Sequence, residues 1–233
     1  MAAMLQVTAL KAWYGAAQIL FDLALEVHAG EVVTLMGRNG AGKSTTLKAI
    51  MGLIERREGM VRLHDADISG LAPYQIARLG IGFAPEDRRI FSDLTVSENL
   101  DVGRQPPRRF PDGTPAPMFT APRLFALFPP LEERRNHFGN ELSGGEQQML
   151  TVARTLMGNP LLVLLDEPSQ GVAPLIVEQM ADAIVELKKQ GLAVLLSEQD
   201  IAFAKYVGDR AYVIENGHIK WAGGVNELDD VDL

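Results

Sequence analysis

The chain contains no cysteine. That excludes disulfides and thiolate metal sites, and it suits a reducing compartment. Positive charge is also scarce: 22 Lys and Arg face 30 Asp and Glu, for a net charge of −8. Such a balance argues against a nucleic-acid partner, which needs a basic face. Long apolar runs are missing too. The longest tight cluster, residues 161–165, stops at Asp166, well short of the roughly 18 residues that read as a bilayer span. The opening M-A-A-M-L-Q-V has no basic segment ahead of an apolar core, so it does not read as a secretory signal. If the protein works at a membrane, other chains supply the span.

What is present suits a globular protein. The 233 residues are 47% hydrophobic and 22% charged, enough for one sizeable domain or two small ones. Val32–Met36 reads as a buried strand opening into a glycine-rich loop, with a helix over 43–51. Residues 161–165 form a second unbroken apolar run, as expected of a parallel strand covered on both faces. A third, 193–196, follows the helical stretch Pro174–Lys189 and its stop at Gly191. Segments 211–214 and 218–222 flank Glu215-Asn216-Gly217, a hairpin signal. Alternating segments at 5–11 and 19–27 suggest an antiparallel sheet beside this α/β core. Residues 104–122 hold six prolines and no periodicity. They are expected to form an exposed loop within a helical region of about 90–157.

G-R-N-G-A-G-K-S, residues 37–44, fits G-x-x-x-x-G-K-[ST] between an expected strand and helix. Bare glycines let backbone N–H groups turn inward around phosphates, and the helix N-terminus adds favourable partial charge. Gly37, Asn39, Gly40, Ala41, Gly42, Lys43, Ser44 and Thr45 are the candidate nucleotide contacts. Lys43 would reach the β- and γ-phosphates, and the Ser44 hydroxyl would ligate Mg²⁺. A glycine turn that merely caps a helix is the alternative, and the flanking strand and helix disfavour it. L-L-V-L-L-D-E-P then places Asp166 and Glu167 at a strand's C-terminal end, the edge where ligands sit in open α/β sheets. Asp166 can hold Mg²⁺ or its water, and Glu167 can activate the attacking water. Alone, D-E-P is a common strand exit; with the phosphate loop it points to Mg-nucleotide chemistry.

E-L-S-G-G-E-Q-Q-M-L begins at Glu141. Ser143 and Glu146 form a capping box for a helix. Gly144 and Gly145 fall in its first turn, where each costs up to about 1 kcal/mol relative to alanine. A cap alone does not need them. They make sense where bare backbone N–H groups approach an anion. In this order, G-R-N-G-A-G-K-S, L-S-G-G-E-Q and L-L-V-L-L-D-E-P resemble the motifs of ABC ATPases across essentially the whole chain. The resemblance implies an α/β fold: a P-loop NTPase core with a parallel central sheet, an N-terminal antiparallel β subdomain and an inserted α-helical subdomain. Residues 1–233 would then form a single nucleotide-binding domain using ATP and Mg²⁺. It also implies a head-to-tail pair, in which Ser143, Gly144 and Gly145 of one chain meet the γ-phosphate held by the other.

Further positions follow from the resemblance one by one. Tyr14, in K-A-W-Y-G, is similar to the aromatic that stacks on adenine, with Trp13 as the competitor. Glu86, in F-A-P-E-D, stands where most of the family has a glutamine contacting Mg²⁺ and water. Gln199, in L-L-S-E-Q-D, stands at the place of a γ-phosphate histidine; glutamine can donate there but cannot become a cation. Ala173, in S-Q-G-V-A-P, replaces an aspartate. All three departures, with P-E-D-R-R-I-F and D-L-T-V-S-E-N-L, resemble the smaller ATP-binding subunit of branched-chain, or hydrophobic, amino acid importers. That branch implies a related second ATP-binding subunit in a heteromeric pair, two transmembrane permeases, a solute-binding protein acting indirectly, and a peripheral place on the cytoplasmic face of the inner membrane. A urea or short-amide importer shares most of these motifs. A non-transport ABC ATPase is disfavoured by the single cassette and the acidic balance.

Overall fold

The alternating segments at 5–11 and 19–27 lie inside longer strands, β1 (Ala3–Tyr14) and β2 (Ala17–His28), which pair antiparallel. The structure, a computed structural model, describes residues 3–110 and 112–231. Next come β3 (Val32–Met36), α1 (Lys43–Ile50), β4 (Arg56–Leu63), β5 (Ala66–Asp67), α2 (Pro73–Leu79) and β6 (Ile81–Ala84). Among the described residues four α-helices separate β6 from the next strand: α3 (Val96–Gly103), α4 (Ala121–Leu127), α5 (Pro129–Glu133) and α6 (Gly144–Leu156). Then follow β7 (Leu162–Asp166), α7 (Pro174–Lys189), β8 (Ala193–Glu198), α8 (Ile201–Val207), β9 (Arg210–Glu215), β10 (His218–Gly224) and a 3-10 turn at Val225–Asp230.

The three unbroken apolar runs become β3, β7 and β8, whose residues are all buried. They sit in a six-stranded sheet of order β10-β9-β3-β8-β7-β6, parallel throughout except for the β9–β10 hairpin. Successive side chains of a strand point to opposite faces, so each run feeds two cores. Leu162, Leu164, Ala193 and Leu195 pack toward α1 and the antiparallel sheet. Val163, Leu165, Val194 and Leu196 pack toward the α3–α7 side. The antiparallel sheet has the order β2-β1-β4-β5. Its β4 carries few buried residues and is held by backbone pairing to β1.

The proline-rich stretch is, over its described residues, the largely exposed and irregular loop expected, but it is tied down. Its residues fold back on themselves, with Ala116 N donating to Arg108 O at 3.1 Å and Phe110 N to Thr114 O at 2.9 Å. Ala116 and Phe119 are buried. Both ends of the excursion are clipped by one side chain, that of buried Asn159. Its Nδ2 donates to Gln105 O at 2.6 Å and its Oδ1 accepts from Phe119 N at 2.7 Å. Arg108 reaches the C-terminal carbonyls of α2, donating to Arg78 O at 2.5 Å and Ala77 O at 3.2 Å. Proline removes donors and stiffens the backbone, but it does not forbid packing when other side chains satisfy the main chain. Asn159 also adopts φ +48°, which asparagine tolerates better than alanine. Asn159→Ala is therefore expected to destabilise the chain by about 2–3 kcal/mol, through two orphaned main-chain groups and the strained φ. Equilibrium urea unfolding measures it, and a change below about 0.5 kcal/mol would contradict the clip.

Candidate active site

Strands β3, β8 and β7 lie side by side and parallel, so their C-terminal ends open on one edge. Met36 is in register with Glu198, and Asp166 with Ser197. Residues far apart in sequence therefore meet there: the loop after Met36, the acidic pair and the segment 197–199. The loop needs its glycines for space as well as for φ. A Cβ on Gly37 would stand 2.4 Å from Ile214 O, and one on Gly42 (φ +115°) 2.9 Å from Leu20 Cδ2. The β9–β10 turn, with Asn216 at φ +48° and Gly217 at φ +79°, has the geometry of a type I′ hairpin. It buttresses the loop, since Gly217 N donates to Ala41 O at 2.8 Å and Gly217 O accepts from Phe21 N at 3.0 Å.

Lys43 opens α1 and is 4% exposed. Its ammonium donates to Gly37 O at 2.7 Å and Arg38 O at 3.1 Å, and pairs with Glu167 Oε1 at 3.0 Å. Ser44 Oγ donates to Asp166 Oδ1 at 2.8 Å, as does Ser197 Oγ from the other side. Burial raises the Asp166 carboxyl above its ordinary range, against the lowering pull of these two hydroxyls. Glu167 is 5% exposed and holds φ +47°, with its N–H donated to Ser197 Oγ at 3.0 Å. The Gln199 amide bridges the site, donating to Glu167 Oε2 and to Asn39 Oδ1, both at 2.8 Å. Gln170, with its amide nitrogen turned to the carboxylates, donates to Glu167 Oε2 and, at 3.0 Å, to Glu86 Oε1. Partial burial raises Glu86, and Glu167 and Asp166 raise it further, against Lys48.

The edge thus joins Gly37, Asn39, Lys43, Ser44, Asp166, Glu167 and Gln199, with Glu86 attached through Gln170. Gly40 stands free of steric neighbours at φ +81°, and Ala41 and Thr45 are buried around α1. Two groups of candidate residues lie apart. Tyr14 ends β1 with half its surface exposed, while its competitor Trp13 is taken up by the Arg56 guanidinium, 4.4 Å from the ring centre. Ser143 caps α6: its Oγ accepts from Glu146 N at 3.3 Å, and Glu146 Oε2 accepts from Ser143 N at 2.7 Å. A Cβ on Gly145 would come within 2.8 Å of Ile176 in α7, and one on Gly144 within 2.7 Å of Arg88 Nη1. Helix packing therefore supplies a reason for Gly145 that the sequence reading missed. Ser197 and Glu198 were missed as well, because both follow directly on the apolar run 193–196 and read as its exit from the core.

The donor set fits a magnesium–nucleotide complex. Among the described residues no cluster of three or more His, Asp or Glu could cage a metal. Ser44 and Asp166 are adjacent hard oxygens, and Mg²⁺ characteristically takes one or two protein oxygens and completes its shell with phosphate and water. These are the parts of a phosphate-loop nucleoside-triphosphatase. A family model described as ABC transporter matches residues 20–170. The branched-chain amino acid transport ATP-binding protein BraG of Pseudomonas aeruginosa is 43% identical over 216 residues, covering 93% of this chain and 91% of that protein. The lipopolysaccharide export ATP-binding protein LptB of Escherichia coli is 36% identical, covering 92% and 88%. The probable branched-chain amino acid transport ATP-binding protein LivF of Archaeoglobus fulgidus is 34% identical, covering 97% and 94%. Among solved structures, a nucleotide-free ATP-binding cassette from an ABC transporter superposes with TM-score 0.82 at 28% identity, covering 99% and 95%. A dimeric bacterial ABC transporter cassette gives 0.79 at 25%, covering 95% and 99%. The chain belongs to the ABC transporter family. It is an ATP-binding ATPase subunit of a transporter, with an α/β cassette fold.

Proposed function

We propose that this subunit powers uptake of branched-chain or other hydrophobic amino acids. Residues 1–233 serve as one nucleotide-binding domain, with the helices between 90 and 157 as its inserted subdomain. The observation that carries the reading is the convergence of Lys43, Ser44, Asp166, Glu167 and Gln199 on one sheet edge. The greater identity to an amino acid transport relative than to lipopolysaccharide export relatives points the same way. In this reading the 37–44 loop and Lys43 hold the phosphates, and Tyr14 stacks on adenine. Ser44 and Asp166, with Glu86 nearby, hold Mg²⁺. Glu167 takes the proton of the attacking water, and Gln199 senses the γ-phosphate as a neutral donor. Ser143, Gly144 and Gly145 complete the site of a second cassette, so that ATP favours a closed head-to-tail pair and hydrolysis reopens it.

No helix among the described residues is long and apolar enough to cross a membrane, so permease subunits supply the channel and this chain sits peripherally on the cytoplasmic face. A groove between α2, β6 and the α3–α6 side fits a short helical segment of such a permease. Tyr74, Phe91 and Val102 line it with exposed apolar surface. Arg108 and Arg154 also belong to its walls. An occupant that presents apolar side chains matches this surface, and a carboxylate on it complements the two guanidinium groups.

Co-expression with the neighbouring genes, followed by uptake into proteoliposomes loaded with ATP, tests the reading. Labelled leucine should accumulate only with ATP inside, and at a rate at least about tenfold above Glu167→Gln vesicles. Urea uptake without leucine uptake would move the assignment to short amides. Recovery with lipopolysaccharide-extracting partners would overturn import.

A further inference from the structure

The site described above leaves one buried carboxylate unused. Glu198 ends β8 with 2% of its surface exposed, and its two oxygens serve two different loops. Oε1 accepts from Ser169 Oγ at 2.5 Å and from Ser169 N at 3.3 Å. Oε2 accepts from Gln199 N at 2.8 Å and from Asp200 N at 3.2 Å. Ser169 lies two residues past Glu167, at the start of an exposed stretch that runs to Leu175. Gln199 and Asp200 form the segment whose Gln199 side chain grips Glu167 and Asn39, while Asp200 caps α8 by accepting from Phe203 N at 3.0 Å. A structural tie of this kind needs only one acceptor per donor. Burying a full carboxylate here is expensive, and burial indeed pushes the Glu198 carboxyl upward against its four hydrogen bonds. An uncharged acceptor would close either loop more cheaply. A carboxylate is the group whose two equivalent oxygens can each accept from two donors and so hold both loops to one strand end.

We propose that Glu198 is a positioning residue for hydrolysis, locking the loop after the acidic pair to the Gln199 segment so that both move as one unit. Displacement of Ser169 would be passed through the Glu198 carboxylate to the Gln199 backbone, and from the Gln199 amide to Glu167. The consequence falls on turnover, because Glu198 makes no hydrogen bond to the 37–44 loop. The inference rests on the roles given to Glu167 and Gln199 above.

Glutamine at 198 has one acceptor oxygen, so it can keep the Gln199 and Asp200 N–H groups or the Ser169 donors, but not both sets. The purified full chain carrying Glu198→Gln is expected to show kcat about tenfold lower, with KM and equilibrium binding of ATP within about twofold of the parent. Ser169→Ala, a change at a half-buried residue, tests the tie without altering β8. It should lower kcat about threefold, and adding it to Glu198→Gln should lower kcat no further. In a Gln199→Ala background, itself expected to slow turnover about tenfold and so far less than Glu167→Gln, Glu198→Gln should likewise lose most of its effect. Loss of ATP binding in step with kcat would make Glu198 a folding residue and overturn the proposal. Effects that multiply in full in both double variants would overturn it as well. Glu167→Gln run alongside separates the two levels. If that variant turns over like the parent, the assignment of the base fails. If it is inactive while Glu198→Gln matches the parent, the base stands and the coupling fails.

Discussion

Glu167→Gln is expected to bind ATP at least as tightly as the parent while hydrolysing it roughly a thousandfold more slowly, the scale of losing a positioned base. The structure supplies reasons for both halves. Glu167 follows the end of β7 in a left-handed conformation, φ +47°, with its N–H held by Ser197. Strain of that kind persists where the surroundings over-determine it, and here Lys43 and Gln199 each grip one carboxylate oxygen. The amide keeps the shape and one acceptor but cannot take a proton. Lys43 is also released from an ion pair that the phosphates must otherwise replace, so binding does not suffer. With hydrolysis stopped, ATP should hold two chains together, visible as a dimer in size-exclusion chromatography with ATP and Mg²⁺ that ADP does not produce. Unchanged phosphate release would remove Glu167 from the role of base.

Lys43→Ala is expected to weaken ATP binding by about a hundredfold or more, through two lost charge-assisted hydrogen bonds to phosphate. It should also lower the stability of the nucleotide-free chain, an effect that composition and motif do not suggest. All three ammonium donors are committed within the chain, to Gly37 O, Arg38 O and Glu167 Oε1. Removing the cation leaves Glu167 buried with no opposing charge. Breaking such a pair costs about 3–5 kcal/mol when nothing compensates, and the Gln199 donor reduces that to about 2 kcal/mol here. Combining Lys43→Ala with Glu167→Gln should therefore restore most of the stability lost in urea unfolding, yet restore no ATP binding. If the double variant is less stable than Lys43→Ala alone, the pair does not govern this contribution to stability.

Much of this was legible in the residues. Pro174–Lys189 is helical over the expected bounds, and the three apolar runs are strands. In each case the signal is local: short apolar runs for the strands, and a helical stretch between Pro174 and the stop at Gly191 for α7. Elements without such a signal escaped notice. The segment R-R-E-G-M-V-R-L buries little beyond Val61 and Leu63 and becomes β4 only through pairing with β1. The proline-rich stretch is exposed and irregular, as its composition implies, while its order comes from Asn159 outside it and from Arg108 reaching out of it to α2. Gly145 was assigned to anion approach alone, and its contact with Ile176 became visible only once α6 lay on α7.

By itself, then, the sequence determined the phosphate loop, the acidic pair, the capping box at Ser143 and the alternation of strands and helices. Each depends on neighbours within a few residues, where backbone φ, side-chain hydrogen bonding and apolar periodicity act directly. Tertiary structure alone decided that Lys43, Asp166 and Gln199 share one edge, because the order β3-β8-β7 is not the order in the chain. Crossover connections through helices set that order, and packing of both sheet faces holds it. The roles of Ser197 and Glu198 belong to this second kind. A buried polar group acquires its meaning from the donors that converge on it, and here those donors come from segments about thirty residues away and from the turn that follows.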